Sequence, residues 1–342
     1  MLKNSYKMLF LTTLFLGTLI SICSSSWLSV WMGLEINLLS FIPLMMKSNN
    51  LFSSEASLKY FLTQALASSM LLFSIIFFFI IYFKNTSITS INFMNMIMSS
   101  TFMMKIGMSP FHFWFPIVME GLSWINNLIL MTWQKIAPII LLSYCLNFYL
   151  FIISIFLSSI FSSINGLNQT SMRKLLAYSS INHLGWMTAS ILINENIWMI
   201  YFLFYSFLTI SIIFIFNTFK IFNLNQIFSF LNFKNLIKTF IFIPLLSLGG
   251  LPPFLGFFPK WMVIESLMMN NYLLLSLILI YFTLITLYFY LRISYSSLIL
   301  NYNEMNWNYK QFYNNKNFKL LSIFLYTNLM GLMFINMLSF IF

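Results

Sequence analysis

Five residues stand out for their chemistry because they are ionisable and sit inside otherwise apolar runs: Glu35, Lys105, Lys135, His183 and Lys260. Glu35 lies in Trp-Met-Gly-Leu-Glu-Ile-Asn, and Lys135 in Met-Thr-Trp-Gln-Lys-Ile-Ala-Pro. Lys105 precedes a stretch rich in Gly, Pro and Phe, Lys260 directly follows another, and His183 sits in Ser-Ile-Asn-His-Leu-Gly-Trp. In a membrane, a central Lys or acid costs about 2.5–3.5 kcal/mol to insert, so the four full charges together oppose insertion by roughly 10–14 kcal/mol. Such residues usually face a bundle interior and serve ion or proton paths. One acid among three lysines allows at most one simple pair, and a lysine buried without a carboxylate gives up its proton more readily. The pattern points to a proton relay; ion pairs that lock helices together are the alternative. His183 fits either a relay or a satisfied core position.

Other polar residues have simpler readings. His112 follows the Gly-Pro stretch and caps exposed carbonyls. Glu55 and Lys59, four residues apart, make an interfacial pair. Glu120 and Arg292 sit near the ends of apolar runs, where snorkelling suffices. Glu265 is five residues past Lys260 and shares a face with it only loosely. Thr63, Gln64, Ser68 and Ser69, and again Asn165, Asn168, Gln169 and Thr170, give polar faces that hold water or join helices.

The elements that position these residues follow from composition. Of 342 residues, 60% are apolar and 7% charged, against about 25% charged in a soluble domain. So few charges cannot coat a water-facing surface, which argues against soluble, secreted and disordered classes. The fold class is all-α: a polytopic membrane protein of about 11 transmembrane helices. Apolar runs place spans near 8–24, 27–46, 57–83, 92–120, 125–145, 148–165, 174–193, 197–219, 238–269, 272–298 and 319–341. The fourth and ninth are too long for plain spans and contain prolines, so they read as broken helices. Residues 301–319 read as a polar surface loop.

The chain has 15 Lys, 2 Arg, 6 Glu and no Asp, for a net charge of +11. Topology explains this excess better than nucleic acid does. With eleven spans, one side collects Lys3, Lys7, Lys47, Arg173, Lys174, Lys220, Lys234, Lys238, Lys310, Lys316 and Lys319, and the other only Lys84. That asymmetry puts the N-terminus on the negative side and the C-terminus on the other. Cys23 and Cys145 stand far apart with no His nearby, which argues against zinc and iron–sulfur sites. Dinucleotide and ATP fingerprints are missing too. The abundance of Phe, Ile, Asn, Lys, Tyr and Met, beside 6 Ala and 2 Arg, suggests an AT-rich genome such as that of many organelles.

An internal repeat lies in the broken spans. Residues 107–116, Gly-Met-Ser-Pro-Phe-His-Phe-Trp-Phe-Pro, and 250–259, Gly-Leu-Pro-Pro-Phe-Leu-Gly-Phe-Phe-Pro, share G-x-x-P-F-x-x-x-F-P at an offset of 143. Five spans separate the copies, so the second unit is inverted relative to the first, the transporter pattern of interrupted helices near the midplane. Residues 1–146 form a first five-helix repeat, 147–300 a second, inverted one, and 301–342 a surface loop and terminal helix.

At Trp31-Met-Gly-Leu-Glu35-Ile-Asn-Leu-Leu-Ser-Phe, Glu55-Ala-Ser-Leu-Lys59-Tyr-Phe-Leu-Thr-Gln-Ala, Pro110-Phe-His-Phe-Trp-Phe-Pro116, Thr132-Trp-Gln-Lys135-Ile-Ala-Pro, Gly166-Leu-Asn-Gln-Thr and Leu251-Pro-Pro-Phe-Leu-Gly-Phe-Phe-Pro-Lys260-Trp, the chain resembles the subunit 2 family of animal mitochondrial NADH dehydrogenase, antiporter-like membrane subunits of respiratory complex I. The resemblance runs through nearly the whole chain, the loop near 301–319 excepted. It implies proton translocation across the mitochondrial inner membrane, coupled to NADH:ubiquinone electron transfer in other subunits, with the N-terminus on the matrix side and the C-terminus on the intermembrane-space side. It implies that Glu35 and Lys105 form the paired site of the first half-channel, that Lys135 is the central relay and that Lys260 is the terminal relay of the second. His183 matches a family position on the same polar axis. It also implies no cofactor in this chain, and as partners the other membrane-arm subunits, including the neighbouring antiporter-like and small core subunits, with accessory subunits and lipids. The rival readings are an independent cation/proton antiporter, a purely structural subunit and, least supported, a membrane enzyme with its own active site.

Overall fold

The computed structural model describes residues 5–46, 50–83, 88–229, 235–296 and 322–331, and those residues form no strands. They divide into two compact units, residues 1–157 and 158–342.

In the first unit, α1 (Ser5–Cys23) and α2 (Trp27–Met45) pack closely, because Gly17 and Gly33 face each other. A Cβ on Gly33 would stand 2.7 Å from the Ser21 backbone nitrogen, so only small residues permit this crossing. Ser26 caps α2, accepting from the Ser29 amide. Next come α3 (Leu51–Phe83), α4 (Ile88–Ile106), α5 (Trp114–Gly121), α6 (Trp124–Met131) and α7 (Trp133–Tyr144). α3 lies against α2, α4 and α5, and α7 packs on α1, α4 and α6. Helix α8 (Phe148–Leu167) runs through the boundary between the units.

The second unit continues with α9 (Met172–Ile191), α10 (Glu195–Phe219), α11 (Leu224–Ser229), α12 (Asn235–Gly249), α13 (Phe257–Met269) and α14 (Leu273–Tyr295), with residues 322–331 also helical. α9 is buried nearly all round, against α10, α13 and α14. Asn194 caps α10, and Arg292 of α14 donates to Leu167 O at the end of α8, so this guanidinium caps a helix end.

Seven stretches among the described residues are long and apolar enough to cross a membrane: Ser5–Cys23, Trp27–Met45, Leu51–Ile81, Trp124–Tyr144, Phe148–Leu167, Glu195–Phe219 and Leu273–Tyr295. The two proline-bearing stretches expected to break do so, as α4/α5 and α12/α13. A third break was not expected. The 125–145 stretch divides at Thr132, whose φ and ψ are −111° and −71°. No Gly or Pro marks it; the Thr132 hydroxyl donates back to Leu128 O at 2.7 Å, a bond that bends helices. Pro138 stays inside α7. The long third helix starts at Leu51 rather than near residue 57. Lys3, Lys47, Lys84, Lys234, Lys310, Lys316 and Lys319, on which the charge asymmetry partly rests, lie outside the described residues, as does the 301–319 loop.

Candidate functional site

The shared motif produces the same backbone device twice. Gly107 and Gly250 have φ of +77° and +86°, the left-handed region that glycine reaches without strain. Each ends its helix in a Schellman motif: Met108 N donates to Met103 O and Gly107 N to Met104 O, while Leu251 N donates to Leu246 O and Gly250 N to Ser247 O. Each motif leaves two carbonyls of the last turn to be satisfied by other groups. In hydrocarbon they must find protein partners or a wet cavity.

The two breaks are completed differently. At the first, Gln64 Nε2 donates to Lys105 O at 3.2 Å, and Trp114 Nε1 to Met104 O at 3.1 Å. At the second, Lys260 Nζ donates to Gly249 O at 2.8 Å and to Leu248 O at 3.4 Å. A cation at a helix C-terminus also meets the favourable end of the helix dipole.

In the first unit, Lys105 in the last turn of α4 and Lys135 in the first turn of α7 line one cavity. Lys105 is 8% exposed and Lys135 1%. Asn37, Gln64, Gln134 and Phe115 share its wall, and Gln134 Nε2 donates to Asn37 Oδ1 at 2.9 Å. The Phe115 ring, brought by α5, sits 5.0 Å from Lys135 Nζ, a cation–π distance. About 20 Å³ is open to the centre of a water molecule, room for one or two waters. Glu35, half-buried on α2, attracts Lys105 electrostatically. The two do not approach within 4.0 Å, and the direct ion pair of this structure is Glu55–Lys59 at 2.6 Å among the described residues.

In the second unit, Lys260 is buried on α13, while Glu265 points to the exposed side of the same helix. His183 is buried in the middle of α9, with Nδ1 2.8 Å from the Tyr201 hydroxyl. Tyr205 is buried beside it, and Tyr290 is buried near Tyr205. Sequence reasoning passed over these tyrosines; the signal was a Tyr pair four apart at 201 and 205, one helical face in an apolar run.

His112 lies inside the first break, hydrogen-bonded to Ser109 Oγ at 3.2 Å and to the Pro110 backbone. Of the first expected polar face, Gln64 reaches the cavity and Ser69 points outward. Asn165, Asn168, Gln169 and Thr170 gather instead around the end of α8, where Gln169 Nε2 donates to Asn165 O.

Membrane-length helices, interrupted at glycine–proline motifs beside buried lysines, define a polytopic helical membrane protein of the antiporter-like class. The family described as NADH:quinone oxidoreductase/Mrp antiporter, TM, matches residues 24–286. The chain is 54% identical to NADH-ubiquinone oxidoreductase chain 2 of Anopheles gambiae over 98% of each chain. Identity to the protein of the same name from Aedes aegypti is also 54%, again over 98% of each. Among solved structures, a chain of respiratory complex I from Thermus thermophilus with bound aureothin superposes with a TM-score of 0.82 at 20% identity, over 96% of this chain and 79% of that one. The chain belongs to the NADH-ubiquinone oxidoreductase chain 2 family.

Proposed function

We propose that the chain is a core membrane subunit of respiratory complex I in the mitochondrial inner membrane, moving protons while other subunits carry the electrons from NADH to ubiquinone. The observation that carries the mechanism is the cavity shared by Lys105 and Lys135 beside a broken helix. Glu35 holds the charge on Lys105 by attraction across more than 4.0 Å. An event that withdraws or neutralises Glu35 weakens that hold, and the Lys105 proton passes to Lys135 directly or through the one or two waters the cavity admits. Lys135 is the central relay of the first unit; His183 and Lys260 are relays of the second. The finer architecture belongs to the same proposal: eleven spans, two inverted five-helix repeats over 1–146 and 147–300, and a terminal segment over 301–342. So do the N-terminus on the matrix side, the C-terminus on the intermembrane-space side, and a chain that holds no redox site or cofactor of its own. Its partners are the neighbouring antiporter-like and small core subunits, accessory subunits and lipids.

The independent cation carrier is disfavoured by one detail. In carriers of that kind, half-helix C-terminal carbonyls coordinate the metal cation. Here the carbonyls of Leu248 and Gly249 already hold the Lys260 ammonium. The test of the relay is Lys135→Ala or Lys260→Ala in the assembled complex: each cuts protons moved per NADH while assembly persists. Unchanged pumping stoichiometry in either variant overturns it.

A further inference from the structure

Three membrane-length helices of the second unit end around one surface. α8 ends at Leu167, α10 at Phe219 and α14 at Tyr295, and the Arg292 guanidinium on Leu167 O ties the last to the first. The loops that follow α8 and α10 are stitched together. Ser171 and Asn223 form an antiparallel bridge, Met172 N donates to Phe222 O at 2.9 Å, and Leu224 N donates to Thr170 O at 3.0 Å. Gln226 Oε1 accepts from the Phe222 and Asn223 amides at 2.6 and 3.2 Å. The result is a fixed floor where three spans end, the depth at which a bilayer presents its headgroups.

Four cations gather on this floor: Arg173 and Lys174 in the first turn of α9, Lys220 as the left-handed C-cap of α10, and Arg292. The Arg173 guanidinium carbon lies 5.1 Å from the centre of the Phe222 ring, a stack that fixes its plane. The described acids of this unit, Glu195 and Glu265, stand at the start of α10 and near the turn into α14, at the far ends of the helices that lead to Lys220 and Arg292. Topology accounts for cations on one side of a membrane, but not for this placement. A helix N-terminus is the positive end of the dipole and disfavours cations, yet the first turn of α9 holds two and no acid. Its N-cap, Ser171, is 8% exposed and makes no cap bond, and its hydroxyl has no hydrogen-bond partner among the described residues. Buried hydroxyls ordinarily have one. An anion at this N-terminus turns the dipole and the cations into attractions and accepts from the hydroxyl. We propose that the floor binds the phosphate of an anionic phospholipid, held by Ser171 Oγ, Arg173, Lys174 and Lys220. Basic pockets between membrane helices take such headgroups, and the depth of the floor selects a lipid over free phosphate. The bound headgroup joins the loops after α8 and α10, and so braces the unit that carries His183 and Lys260. The inference rests on the membrane placement of the chain and is independent of the relay.

The test uses the assembled complex in phosphatidylcholine nanodiscs doped with photoactivatable phosphatidylglycerol, and cross-links are mapped by mass spectrometry. The probe is expected to label residues 168–174 and 220–226, and photoactivatable phosphatidylcholine is not. Lys220→Asn removes one charge and suits the left-handed cap; it lowers the affinity for the probe about 5-fold, and Lys174→Gln added to it about 25-fold. Lys59→Gln removes a cation from the first unit and leaves labelling of these segments as in wild type. Equal labelling by the two lipids, no labelling of these segments, unchanged affinity in Lys220→Asn, or an equal loss in Lys59→Gln overturns the site. Millimolar inorganic phosphate leaves labelling in place; if it abolishes labelling, the occupant is free phosphate and the lipid assignment fails. A cross-link from these segments to an acidic segment of another subunit, in place of the lipid, overturns it equally. If the double variant does not assemble on native gels, Lys220→Asn alone decides. Failure of the relay reads out separately, as Lys135→Ala complexes that still pump.

Discussion

Two adjacent glycines should respond oppositely to the same methyl group. Gly250 has φ of +86°, and a Cβ there would stand 2.9 Å from Lys260 Nζ and 3.0 Å from its Cδ. An L-residue in the left-handed region costs about 1–2 kcal/mol. The lysine is flexible and can move aside, but moving gives up its 2.8 Å bond to Gly249 O, a charged hydrogen bond worth about 1.5–3 kcal/mol. Gly250→Ala therefore costs about 2.5–5 kcal/mol. Gly249 has no positive φ, and its Cβ would make an ordinary contact with Tyr290 Cδ2 at 3.5 Å. As the last residue of α12 it gains from helix propensity, by up to about 1 kcal/mol. Native gels report assembly, and protons moved per NADH in liposomes report function. Gly250→Ala is expected to assemble poorly and pump poorly, Gly249→Ala to match wild type. Gly250→Asn separates the two terms, since Asn tolerates the left-handed region but keeps the Cβ against Lys260: assembly recovers and pumping does not. Normal pumping by Gly250→Ala, or equal damage from Gly249→Ala, refutes the reasoning.

Three further outcomes follow from the same geometry. Gly256→Ala would place a Cβ 1.7 Å from Ser247 O, a backbone atom that cannot step aside, so native gels should show no assembled complex. Gln64→Leu removes the donor to Lys105 O; leaving that carbonyl unsatisfied costs about 1–3 kcal/mol, read as a lower thermal midpoint of the complex, and an unchanged midpoint counts against the capping role. Glu55→Gln breaks an ion pair whose side chains are 43% and 61% exposed; the loss is below about 0.5 kcal/mol, and pumping should stay at the wild-type level.

The broken helices were legible because glycine and proline have few uses in a membrane span. The G-x-x-P-F-x-x-x-F-P repeat marks both sites, and at both the glycine adopts the positive φ that makes it necessary. The break at Thr132 was hidden because its cause is a hydroxyl that bonds one turn back, a choice threonine makes only in some contexts. Lys105, Lys135 and Lys260 were legible through the cost of burying charge. Their partners were not: Gln64 is 41 residues from Lys105, Tyr201 is 18 from His183, and neither spacing is periodic. The Glu35–Lys105 pair comes from the family resemblance, and neither residue's sequence position indicates that the two charges stand more than 4.0 Å apart.

The two breaks share a backbone and differ in what completes it, and that difference separates the roles of their lysines. Position 105, two residues before the first motif, corresponds to 248, two before the second, at the common offset of 143. Lys105 O is held by the neutral Gln64 amide, so the first break keeps its cap whatever the charge on the Lys105 side chain, which lines the cavity. Leu248 O and Gly249 O are held by the Lys260 ammonium itself. When Lys260 gives up its proton, the end of α12 loses the cation that complements its dipole, and the charge-assisted part of two hydrogen bonds goes with it. Proton transfer and backbone stability are therefore independent at the first break and coupled at the second. On the proposed relay, a proton crosses the first cavity without moving a helix, and its departure from Lys260 loosens the joint between α12 and α13.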